Sequence, residues 1–143
     1  MTRVRLFLWM LAAALIVGCG DGSATVSGTV TLDDQPIVGG PQMYGTVSFY
    51  RADGSGAPAI GIIDASGGYT LKTGTENRVE PGPYAIAIAV KRIDLPTTPE
   101  GMPRPHLVTP EKYASVTTSG LQAEVAPGSN TFDFQLDSET AID

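Results

Sequence analysis

The strongest constraint on this chain is a period of two. In "TVSGTVTL", residues 25–32, Val26, Gly28, Val30 and Leu32 alternate with Thr25, Ser27, Thr29 and Thr31. Successive side chains of a strand point to opposite faces, so such a run lays one face on a core and the other in water. The pattern recurs with Val47 and Phe49 in "YGTVSFY", Ile60 and Ile62 in "AIGIID", and Tyr69 and Leu71 in "YTLKT". It returns with Tyr84, Ile86, Ile88 and Val90 in "YAIAIAVK", Leu121, Ala123 and Val125 in "LQAEV", and Phe132, Phe134 and Leu136 in "TFDFQL". In "YAIAIAVK" the intervening positions are alanines, so both faces are expected to be partly covered. No stretch after Cys19 sustains a helical period.

Turn residues punctuate these runs: Asp33-Asp34-Gln35-Pro36, Asp53-Gly54-Ser55-Gly56, Asp64-Ala65-Ser66-Gly67-Gly68, Pro81-Gly82-Pro83 and Pro127-Gly128-Ser129-Asn130. Short alternating runs separated by such turns predict an all-β, seven-stranded antiparallel sandwich of immunoglobulin-like class. Its core should gather Val26, Val30, Val47, Phe49, Leu71, Ile86, Ile88, Phe132 and Phe134. The Cys-Trp-Cys hallmark of true immunoglobulin domains is missing, because the sole Cys is Cys19 and the sole Trp is Trp9.

What precedes the sandwich is of another kind. Residues 1–5 carry Arg3 and Arg5, and residues 6–17, "LFLWMLAAALIV", are unbroken apolar. A basic start followed by a short apolar run is the layout of a secretory signal helix. Those twelve residues span roughly 18 Å as a helix, short of the ~30 Å hydrocarbon core. "LIVGC", residues 15–19, resembles the lipobox of bacterial lipoproteins. The resemblance implies a signal peptide at 1–18, cleavage between Gly18 and Cys19, and acyl chains on Cys19. A thiol is the nucleophile that can take a diacylglyceryl group as a thioether. The alternatives are an ordinary signal cut after a small residue, an uncleaved anchor, or a free redox thiol. Gly20 stands where an Asp commonly retains such proteins at an inner membrane, so a cell-membrane or outer-membrane location is expected, with the domain outside the cytoplasm.

Residues 19–24 would then be a lipidated tether, 25–137 the sandwich and 138–143 a tail. Loss of residues 1–18 leaves seven Lys and Arg against fifteen Asp and Glu. An acidic domain is a poor partner for nucleic acid. Membrane attachment would come through the acyl chains, two of which hold well where one holds weakly.

"VSGTVTLDDQPIVGG", "GTVSFYRADGSG", "GIIDASGGYTL" and "EPGPYAIAIAV", spread over residues 25–91, resemble the carboxypeptidase regulatory-like family. The shared pattern is a G-x-V strand, a D-G-x-P turn, a V-x-F strand, a T-D-x-x-G-x-Y hairpin and a P-G-x-Y strand. Gln35 stands where the turn usually has Gly, and Ile63 where the hairpin usually has Thr. The resemblance implies a transthyretin-like, prealbumin-type sandwich. Residues 110–136 resemble the end of small bacterial lipoproteins with this domain. The enzymes of the transthyretin-like group depend on several histidines, and this chain has one.

That His106 lies in the Pro-rich "GMPRPHLVTPEK" and reads as a loop histidine in solvent. With one His and one Cys committed to lipid, Cys-His dyads and His or Cys metal clusters cannot be assembled. Asp33, Asp34 and Asp64 sit in turns, where Asp serves its own backbone. No cofactor is implied. The chain is therefore expected to be a non-catalytic envelope module, structural or protein-interacting; the alternative is a small-ligand or glycan-binding surface lipoprotein, which would show an exposed aromatic cleft.

One loop stands out. Residues 94–118 hold Pro96, Pro99, Pro103, Pro105 and Pro110, which removes donors needed by a central strand. The first half is expected to be disordered, and its Pro96, Pro99, Pro103, Arg104 and Pro105 are the candidate contacts for an envelope protein partner. The second half is expected to dock through Tyr113 after a turn begun by Pro110.

Overall fold

The computed structural model describes residues 22–138. The signal segment and the candidate lipidation site, Gly18 and Cys19, lie outside them, as do the last residues of the tail. Among the described residues no helix is long and apolar enough to cross a membrane.

Ten strands form two sheets. They are β1 (Ala24–Leu32), β2 (Gln35–Pro36), β3 (Met43–Arg51), β4 (Ala59–Ile62), β5 (Gly68–Thr70), β6 (Gly82–Asp94), β7 (Arg104–Leu107), β8 (Leu121–Val125), β9 (Gly128–Thr131) and β10 (Phe134–Leu136). Each of the seven expected runs contains a strand. The last is broken in two, and β2 and β7 are additional. The architecture is all-β.

One sheet is antiparallel, in the order β4-β3-β6-β7, with β8 also on β6. The other is mixed, which corrects the expectation of purely antiparallel pairing. Its centre is β1, flanked on one side by β2 and β5, antiparallel, and on the other by β9 and β10, both parallel to β1. A parallel neighbour needs a long crossover, and here nearly the whole domain lies between the first strand and the last.

The first hairpin turns on Asp33 and Asp34, whose φ values are 48° and 63°. Positive φ at both central residues is the type I′ geometry that matches strand twist, and Asp tolerates it. Gln35 already belongs to β2, so the conformational demand falls on Asp33 and Asp34.

The core holds Val26, Val30, Val47, Phe49, Leu71, Ile86, Ile88 and Phe134, with Phe132 partly buried against it. Phe49 lies 5.8–6.1 Å from the rings of Tyr84, Phe132 and Phe134. β4 departs from expectation. Ile60 and Ile62 point outward, and Ala59, Gly61 and Ile63 are buried. Gly61 faces Val47 and Ala59 faces Phe49 across the ladder. A Cβ on Gly61 would lie 3.0 Å from the Tyr69 ring and 3.1 Å from the Thr70 carbonyl. The space on that face is already filled, so the larger isoleucines turn away from it.

Gly28 meets a tighter limit. A Cβ there would sit 1.8 Å from the Phe132 carbonyl oxygen. That same oxygen accepts a 2.6 Å hydrogen bond from the Tyr69 hydroxyl, and Tyr69 pairs with Gly28 across the strands. The chain thus crosses β1 at the break between β9 and β10. Asp133 anchors the break by accepting from the Thr29 amide and hydroxyl.

Candidate functional site

The Pro-rich stretch is the arm of a hairpin. β7 pairs antiparallel with the end of β6, from Lys91↔Leu107 to Asp94↔Arg104. This corrects the expectation for Asp94, Arg104 and Pro105, which are paired strand residues. The prolines are compatible with it because β7 is an edge strand, where a missing donor faces outward. The connecting residues, 95–103, fold on themselves: the Gly101 amide donates to the Thr98 carbonyl at 3.1 Å. Pro96, Pro99 and Pro103 lie exposed in this tip, and Arg104 and Pro105 lie exposed on the strand. Leu95 and Met102 stand beside them with 60% and 82% of their surface in water.

His106 is correspondingly a strand residue, not a loop residue. Its Nδ1 lies 2.8 Å from Asp94 Oδ2, and Arg92 Nε lies 3.5 Å from Asp94 Oδ1. This small polar cluster closes the base of the hairpin.

The second half of the stretch docks. A 3-10 turn over Glu111–Ala114 buries Tyr113, whose hydroxyl accepts from the Asp137 amide at 3.2 Å. The turn spans the gap on the edge of β6 between β8 and β7. There the Thr109 hydroxyl accepts from the Val90 amide at 3.2 Å, and the Ser119 hydroxyl donates to the Ile86 carbonyl. Thr109 and Ser119 are the buried polar residues of the described chain. Both are consumed in completing a sheet edge that no strand covers, since an unpaired buried amide or carbonyl is costly.

A second constellation lies at the other end of β6. Arg51, the last residue of β3, pairs with Tyr84. Arg51 Nη1 donates to Glu80 Oε2 at 2.7 Å, and its guanidinium carbon sits 6.0 Å from the Tyr84 ring centre. The Tyr84 hydroxyl donates to the Glu80 carbonyl at 2.8 Å. Burial opposes the charge of Arg51, but Asp53, Tyr84 and Glu80 together outweigh it and hold its pKa up. Arg51 Nε is shielded from water with no hydrogen-bond partner; its nearest carboxylate oxygen, on Asp53, is 3.5 Å away. Arg51, Glu80 and Tyr84, with Ser23, Thr73, Glu76 and Arg78, line a cleft of about 470 Å³. A guanidinium with spare donors can hold a carboxylate or phosphate oxygen. Sequence reasoning missed this cleft. Arg51 and Glu80 are 29 residues apart, and no spacing rule connects them.

The two sites are at opposite ends. Ala24 bridges to Val79, so the start of β1 lies beside Glu80 and the start of β6. The thirteen residues of β6 then run about 40 Å to the hairpin tip. Among the described residues no group of three or more His, Cys, Asp or Glu could hold a metal ion. No protein-family model, no curated protein and no solved structure matches the chain.

Proposed function

We propose that this chain is a non-catalytic lipoprotein of the bacterial cell envelope, anchored by acyl chains on Cys19 and acting as a structural or protein-interaction sandwich of transthyretin-like, carboxypeptidase regulatory-like type. The supporting observation is the end-to-end polarity of the domain. The start of β1, five residues beyond Cys19, is at one end, and the hairpin tip with Leu95 and Met102 is at the other. A tether of five residues reaches ~17 Å at most, so an anchored domain would keep its first end at the bilayer and hold the tip about 40 Å farther out along β6. Exposed apolar side chains rimmed by prolines at such a tip suit contact with another protein.

Two measurements test this. Labelled palmitate should enter the wild type and be absent from Cys19→Ser; label in the serine variant rejects the anchor. Envelope proteins captured by the wild type should be lost from Leu95→Ser/Met102→Ser. An unchanged capture profile rejects the tip as the contact.

A second reading, capture of a small anionic ligand, is favoured by the Arg51 cleft alone. Saturable binding of small carboxylates or phosphates that is lost in Arg51→Gln would move the assignment toward it.

A further inference from the structure

The Arg51 cleft carries both signs of charge. Arg51 and Arg78 line it together with Glu76 and Glu80, and Asp53 adds a carboxylate oxygen 3.5 Å from Arg51 Nε. An anion entering alone would therefore meet more carboxylates than cations. A ligand that carries both signs finds a partner for each.

The two signs also differ in how firmly they are held. The Arg51 side chain is 22% exposed, and that of Glu80 is 81% exposed. The guanidinium lies over the Tyr84 ring, and the Tyr84 hydroxyl is tied to the Glu80 backbone. Arg51 is thus a set cation. The Glu80 carboxylate that meets it at 2.7 Å stands in water, where an ion pair contributes little. Arg51 Nε makes no hydrogen bond at all. A phosphate oxygen suits such a planar fork and can take the place of Glu80 on it. That exchange frees Glu80 to join Glu76, which is also exposed, in accepting from a second group. A primary ammonium fits, because it brings three N–H donors. A trimethylammonium brings none.

The cleft also sits where such a group would be met. Gly22 and Ser23 form part of its wall, and the next residue, Ala24, is fastened to Val79 by two backbone hydrogen bonds of 2.8 and 2.9 Å. Gly22 is three residues beyond Cys19, a span of ~11 Å at most. The polar layer of a bilayer leaflet is about 5–7 Å thick. A chain anchored at Cys19 therefore carries the cleft within reach of lipid headgroups. Its volume is in the range of small-molecule sites.

We propose that the cleft binds an aminoethyl phosphate group, with the phosphate on Arg51 and the ammonium on Glu76 and Glu80, and that the ethanolamine headgroups of the anchoring bilayer supply it. This deepens the small-ligand reading of the cleft, and the bilayer source rests on the lipoprotein reading.

The test follows the Arg51 Nε–H resonance of the full chain by heteronuclear NMR. Cys19→Ser in maltoside micelles makes the first arm independent of the anchor. O-phosphoethanolamine should shift the resonance saturably and bind about tenfold more tightly than inorganic phosphate. Glu80→Gln changes an exposed side chain, so the fold is kept. It should weaken phosphoethanolamine about tenfold and tighten inorganic phosphate, because the competing carboxylate is gone. In the second arm the wild type is placed in nanodiscs. With phosphatidylethanolamine the resonance should already stand at its bound position, and with phosphatidylcholine alone at its free position. No shift with either soluble phosphate overturns the site. Equal affinity for the two, or no loss of phosphoethanolamine affinity in Glu80→Gln, overturns the ammonium contact. Binding in micelles with identical spectra in the two nanodiscs overturns the bilayer source, and palmitate labelling then tells whether the anchor fails with it.

Discussion

Ile62 is 70% exposed and its neighbour Ile63 is 2% exposed. Hydrophobicity alone ranks them equally, and the sequence pattern puts Ile60 and Ile62 inside. Available volume decides otherwise, because Tyr69 and Leu71 already fill the space above Gly61. Ile62→Thr should therefore change stability by less than about 0.5 kcal/mol. Ile63→Ala should cost about 2–5 kcal/mol. Urea unfolding of the two variants compares them directly, and the reverse order would place the strand's faces the other way. Gly28 shows the same physics at closer range. Its alternation with Val26 and Val30 was legible, but the carbonyl lying on its Cα was not, because that carbonyl comes from residue 132. Gly28→Ala must displace the chain break held by Tyr69 and Asp133, and should destabilise by about 3 kcal/mol. A loss under about 1 kcal/mol in the same assay would contradict the close approach.

At the scale of elements, most strands were visible because alternation and turn residues are local signals. β7 was not, because prolines argue against strands and only its place at an edge makes them tolerable. The mixed sheet was hidden for a different reason: pairing between β1 and β9–β10 joins residues about a hundred positions apart. The docked turn was half visible. Tyr113 could be read as an anchor, whereas the roles of Thr109 and Ser119 depend on a gap between two strands that only the fold creates. This yields a sharp expectation. Thr109→Val keeps the shape but leaves the Val90 amide without its acceptor, so it should cost about 1–3 kcal/mol. Hydrogen exchange should speed up at Val90 in this variant and stay unchanged at the far end of β6. Unchanged exchange at Val90 would mean that water or another group replaces the hydroxyl.

Across the whole molecule, three turn aspartates share one chemistry, and together they contribute to how the domain responds to acid. Asp33 accepts from the amide and hydroxyl of Ser138, tying the segment after β10 to the first hairpin. Asp53 accepts from both groups of Ser55. Asp64 accepts from both groups of Ser66 and from the Gly68 amide. In each case the serine hydroxyl is the largest influence and the serine amide the next, and both hold the carboxyl below its usual pKa of 3.8. A donor array favours the ionised form in the folded state, and unfolding removes it. The sign follows: a pKa depressed by folding contributes stability that is fully present above 3.8 and is lost as pH falls through the lower folded values. The domain should therefore keep a constant urea midpoint from neutrality down to about pH 5 and lose stability progressively below pH 4. Because all three groups are exposed, added salt should reduce the effect only modestly, as hydrogen bonds rather than distant charges produce it. Ser66→Ala removes one donor at Asp64 and Ser55→Ala one at Asp53. The double variant should show a shallower acid slope than the wild type, with the difference confined to the acid limb. A parallel offset at every pH would mean that these serines hold the turns by packing and leave the carboxylates' titration untouched.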